Sequence, residues 1–211
     1  MIQYSDQLLD SFAPELSSLA HGDIKSLGGE LARIKETMLH FGYQDVLGAR
    51  LRKVPARTYR HFQRRTISAV RSYEGMRLAL DEFFVGRVRD SPKFSNYFHA
   101  LDEAETCILH CQIALESIKN SSSHFDDIDK DETNVKVGIL ANDIKHFGQK
   151  TKGRAGANSL FPVWFSSGGV KSDRDFLSFF DLHQTLVAMI EGCDALADNS
   201  PLRPNAPQST A

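Results

Sequence analysis

The 211 residues, 41% of them hydrophobic and 25% charged, match the balance of an ordinary globular chain and exclude wholesale disorder. A formal charge of −2 excludes a globally basic nucleic-acid coat, although local patches stay open. No run approaches the ~20 apolar residues of a bilayer crossing, and Met1 to Asp6 lacks the basic start of a signal peptide. Three cysteines are too few for a disulfide framework and suit a reducing compartment, so a cytoplasmic protein is expected.

Almost every long segment has helical periodicity. A short helix is expected over about residues 5–20, and a second from Asp23, as N-cap, through Leu27, Leu31, Ile34, Met38 and Phe41. A third, about 55–86, has Pro55 in its first turn. Ser91-Pro92 gives an N-cap with proline at the first helical position, opening a helix to Asn120. Phe94, Phe98, Leu101, Ile108, Leu115 and Ile118 form its apolar stripe. Serines and acids over 121–132 read as an exposed connection, and a fifth helix covers about 133–147. Residues 148–159 form a loop rich in glycine and basic groups, and 160–169 an extended segment or hairpin with a tight turn. Ser172-Asp173 is expected to cap a last helix over about 174–197. The sum is an all-α fold, a five- or six-helix bundle in a single domain over 1–198, followed by a disordered tail over 199–211.

Two features carry chemistry. Between Arg50 and Arg77 nine Lys/Arg residues face one acid, Glu74. At ~100° per residue, Arg57, Arg60, Arg64 and Arg71 share one helix face, opposite Phe62, Ala69, Tyr73, Met76, Leu80 and Phe83. Such a guanidinium row can hold phosphates bidentately and track a nucleic-acid backbone; equally, it can be a solvated face or meet acids of another helix or subunit. The second feature is Asn142-Asp143-Ile144-Lys145-His146, followed by Lys150, Lys152 and Arg154. Asn142 and His146 are i,i+4 neighbours and Lys145 stands at i,i+3 from Asn142. The trio suits metal-free RNA cleavage, with the imidazole moving a proton and the lysine and amide stabilising phosphorane charge. It also suits a plain polar helix end, where His and Lys complement the dipole. The simplest joint expectation is that the imidazole and the guanidinium row open on one wet groove.

The arrangement resembles the HEPN superfamily (higher eukaryotes and prokaryotes nucleotide-binding domains). The likeness rests on Tyr97-Phe98-His99-Ala100-Leu101 before an acidic stretch, the Asn-x-x-Lys-His helix, and Pro162-Val163-Trp164 followed by Gly168-Gly169, and covers about residues 92–197. It implies an RNA-directed protein, often a dimer with a shared cleft, in toxin or phage-defence systems. His146 would match the signature histidine and Asn142 the asparagine that opens it. HEPN nucleases place an arginine ahead of the histidine, and positions 140–142 here are Leu-Ala-Asn; members without that arginine serve as partners or RNA binders. The expected function is therefore a metal-independent ribonuclease or a catalytically degenerate RNA binder, as a homodimer or hetero-oligomer. The alternative is a non-enzymatic helical adaptor or a subunit of a larger assembly.

No cofactor or metal is expected. Asp127, Asp129 and Asp131 mimic a calcium loop, but Glu132 stands where glycine is required. Cys107 and Cys111 lack a companion ligand pair. No phosphate-binding glycine loop, dinucleotide fingerprint or Gly-x-Ser-x-Gly elbow occurs.

Overall fold

The computed structural model describes residues 16, 24–36, 56–88, 93–119, 130–150 and 161–198. All of the expected helix over 5–20 but Leu16, the Asp23 and Ser91 caps, most of the acidic connection, Lys152, Arg154 and the tail lie outside them. The described chain is mostly helical, with five helices and one small sheet. We label them α1 (28–36), α2 (Ala56–Val88), α3 (Phe94–Lys119), α4 (Glu132–Lys150), β1 (Trp164–Ser166), β2 (Gly169–Lys171), β3 (Phe176–Ser178) and α5 (Phe179–Asp198).

The 33 residues of α2 run ~50 Å at 1.5 Å per residue and pack along α3 as an antiparallel pair: Arg65 meets His110, and Phe83 meets Phe94 and Tyr97. Phe62, Ala69, Tyr73, Met76, Leu80 and Phe83 are all buried, so the apolar face faces inward as its spacing predicts. A run of rings carries the core from this pair into the sheet and α5: Phe83–Tyr97 at 5.8 Å, Tyr97–Phe165 at 5.7 Å and Phe165–Phe179 at 6.2 Å between centroids. Glu74, the lone acid of the basic stretch, anchors α1. It accepts hydrogen bonds from the Leu27 N–H at the α1 N-terminus and from Ser26 Oγ, and it pairs with Arg77 at 3.0 Å. A carboxylate at the positive end of a helix is favourable, and Tyr73 adds a hydrogen bond to the Lys25 carbonyl.

The segment expected as one extended piece with a turn is a three-stranded antiparallel sheet in the order β1-β2-β3. Phe165, Val170 and Leu177 are cross-strand partners and all buried, so one side of the sheet closes on the core. At Gly169 a Cβ would collide with the Leu177 carbonyl oxygen and come within 2.7 Å of Ser178 Cα, so the strands can only approach this closely across a glycine.

The last helix begins at Phe179 and not near 174, because Phe176–Ser178 pairs with β2. Ser178 is its N-cap. The Asp181 N–H donates to Ser178 Oγ at 2.9 Å, and Ser178-x-x-Asp181 has the spacing of a capping box. Ser172, expected in that role, instead closes the loop before β3, accepting from the N–H groups of Arg174 and Asp175. Asp131 caps α4, with the Asn134 N–H donating to its Oδ1 at 3.0 Å, which sets the helix start at Glu132. No helix among the described residues is long and apolar enough to cross a membrane.

Candidate nucleic-acid interface

Arg57, Arg60, Arg64 and Arg71 are all exposed on α2. No ion pair among the described residues engages Arg57, Arg64 or Arg71, whereas Arg77 is held by Glu74 and Asp81. Arg57, Arg64 and Arg71 stand seven residues apart, a spacing that returns to nearly the same angle on the helix. The line continues through Leu78 and Val85, which are 53% and 40% exposed. One outward ridge is therefore basic over its first half and apolar over its second.

The ridge borders one flank of α3. Beside it, Arg65 is half-buried and donates from Nη1 to His110 Nδ1 at 3.2 Å, while its buried Nε has no hydrogen-bond partner. Accepting that bond requires a neutral imidazole with its proton on Nε2. Burial, then the charges of Arg65 and Arg64, hold the His110 pKa below its ordinary value of 6.5. Folded His110 thus takes a proton less readily than in the unfolded chain, so acidification below about 6.5 protonates the unfolded state first and draws the equilibrium toward it. The contribution is complete above 6.5 and is lost as pH falls toward the folded value. Thermal melts at pH 7.5 and 5.5 should show the wild type losing more stability on acidification than His110→Gln, which keeps an acceptor for Arg65. Equal losses would exclude this role.

Asn142, Lys145 and His146 are brought together on α4, all three exposed. Lys145 Nζ donates to Gln112 Oε1 of α3 at 3.0 Å. The acid inside the motif is buried where the other three are exposed. Asp143 is buried, accepts the Ser172 hydroxyl at 2.8 Å on Oδ2, and pairs with Arg174 at 2.7 Å through Oδ1. Arg174 also donates to the Ile139 carbonyl at 3.1 Å. Asp143 thereby ties α4 to the loop between β2 and β3. Sequence reasoning passed over it, although an acid in the middle of a helical polar motif, at i,i+3 from His146, is the signal that could have found it.

The two predicted sets do not share a groove. His110, beside Arg64 and Arg65, and Gln112, beside Lys145, are two residues apart on α3, which places them ~200° apart around it. Helix α3 stands between the ridge and the trio, so the expectation of one shared groove fails. Lys150 is the last residue of α4, but its side chain lies outside the described residues, as do Lys152 and Arg154 altogether.

One further titratable group was missed. Glu105 of α3 has its pKa pushed up to about 7 by burial and by the charge of Asp102. It precedes Gln112 by two helical turns, about 10 Å, beyond hydrogen-bond reach of the Lys145 contact. Cys107 and Cys111 are buried; a hydrogen bond between them and burial hold the Cys107 thiol well up, which suits packing over reactivity. Comparison with protein-family models, curated proteins and solved structures gives no match to this chain.

Proposed function

We propose that this chain is an RNA-directed helical protein, a five- or six-helix bundle of the HEPN kind, that holds a phosphate backbone on the basic half of α2. Of the two forms the resemblance implies, it is the RNA-binding, catalytically degenerate one. The toxin or phage-defence setting belongs to the same proposal. One observation carries it: three arginines at heptad spacing, with Arg60 beside them, present guanidinium groups to solvent along more than three turns of α2. Against the ribonuclease form, α3 separates Asn142, Lys145 and His146 from that row, and Leu140-Ala141-Asn142 holds no arginine where the signature places one.

Binding of a single-stranded RNA followed by fluorescence anisotropy tests the proposal. Four neutralised phosphates give a log–log salt slope of roughly −3, or about 50-fold weaker binding between 50 and 200 mM salt. Binding that is absent at the lowest salt, or indifferent to salt, overturns it. The RNA should stay intact; cleavage by the wild type that is lost in His146→Ala would restore the ribonuclease form.

A second reading, a non-enzymatic helical adaptor, is favoured by the exposed Leu78 and Val85 on the same ridge. Apolar side chains at heptad spacing suit helix-on-helix packing with a second copy or another chain.

A further inference from the structure

At the end of the molecule where α2 begins and α3 finishes, the first turn of α4 and the length of α5 enclose a cleft of about 440 Å³. That volume lies within the usual range for small-molecule sites. Its bed is apolar: Phe62, Leu115, Ile118 and Met189. Gly192 keeps it open opposite Phe62, since a Cβ there would already sit 3.6 Å from the ring.

The rim adds the neutral polar Thr133, Asn134 and Gln184, and the charged groups are of one sign. Among the described lining residues the charged ones are Asp131 and Asp181, with no lysine, arginine or histidine. Asp131 gives Oδ1 to the cap of α4, which leaves Oδ2 for another donor. The two helix N-termini offset part of this charge, about half a unit each. Lys136 lies near Asp181, but its ammonium is bound to Glu132 at 2.8 Å. Thr185 is one turn on from Asp181, on the same face of α5. It lines the cleft and is only 7% exposed. A nearly buried hydroxyl beside a carboxylate, above an apolar bed, calls for a ligand that donates hydrogen bonds, carries positive charge and ends in a greasy body.

We infer that this cleft is a binding site for a small organic cation, a primary ammonium on an apolar frame, held at its charged end by Asp181, Thr185 and Asp131 and along its body by Phe62, Leu115 and Met189. This site is independent of the α2 ridge and shares no residue with it. Titration calorimetry with three probes of one shape tests it: phenethylammonium, phenethyl alcohol and 3-phenylpropanoate. The cation should bind saturably, the alcohol about tenfold more weakly or worse, and the anion not at all. Asp181→Asn should cost the cation about tenfold in affinity. Thr185→Val should weaken it severalfold, and Ala188→Trp, which fills the cleft, should abolish it; these two keep the test open if the Asp181 variant fails to fold. Absence of saturable cation binding overturns the inference. So does equal binding of the three probes, or cation binding that survives Ala188→Trp.

Discussion

Asp143→Ala is expected to lower the melting temperature by roughly 5–10 °C, the largest stability effect of any substitution in the Asn-x-x-Lys-His motif. The alanine leaves the Ser172 hydroxyl and the Arg174 guanidinium without their acceptor at the junction of α4 with the β2–β3 loop. Removing one partner of a buried pair costs about 3–5 kcal/mol. Arg174 is 46% exposed here against 9% for Asp143, so water recovers part of that loss and about 2–3 kcal/mol remains. For a chain of this size each kcal/mol corresponds to roughly 2–4 °C. His146→Ala, three residues on and exposed, should move the melting temperature by no more than about 0.5 kcal/mol allows. The pair of variants separates architecture from chemistry within one five-residue motif. An Asp143→Ala protein that melts with the wild type would mean that the clamp does not hold α4 to the sheet.

Asp143 also shows where the sequence stops being legible. The periodicity of α2 fixes which side is buried, because the alternatives differ at every turn: Tyr73, Met76, Leu80 and Phe83 face inward and Arg57, Arg64 and Arg71 face out, as expected. A polar residue inside a polar motif offers no such redundancy. Its partners, Ser172 and Arg174, come from about thirty residues away, and nothing local announces them. The start of α5 was missed for a related reason. Phe176, Phe179 and Phe180 fit a helix and fit a strand leading into a helix equally well, and only the pairing of Leu177 with Val170 decides between them. Ser172 and Ser178 both stand three residues before an acid, Asp175 and Asp181. Each accepts the N–H of that acid, so the capping-box spacing does not separate them, and Ser178 is the cap because the pairing of Phe176–Ser178 with β2 delays the helix to Phe179.

The relation between the two basic features was hidden at a higher level. Each lies on a helix whose exposed face is readable, but the flank of α3 that each helix occupies is a tertiary fact. Arg65 reaches His110 on one flank and Lys145 reaches Gln112 on the other, so two correctly read faces do not combine into one groove. For the same reason the cleft beneath α5 went unseen. Its lining is drawn from four helices, and no two of its polar groups form a recognisable motif.

Reversing the ridge, with Arg57→Glu, Arg64→Glu and Arg71→Glu together, is expected to weaken RNA binding at 50 mM salt by at least about a hundredfold and to flatten the salt slope from roughly −3 to above −1. Three counterion-releasing contacts are lost and three repulsive charges take their place, while Arg60 alone remains of the row. Because these side chains are exposed and outside the ion pairs among the described residues, the fold should tolerate the change with surface-like effects, about 0.5 kcal/mol each or less. Leu78→Asp with Val85→Asp is the matching control on the other half of the same line. It leaves every arginine in place, so RNA affinity should hold to within about twofold, whereas any self-association or partner binding that uses the apolar half should be lost. Loss of RNA binding in the first variant alone assigns the backbone contact to the basic half of α2. RNA binding unchanged in the first variant would move the phosphate contact off α2, leaving the exposed Lys145, across α3, as the basic surface that makes it.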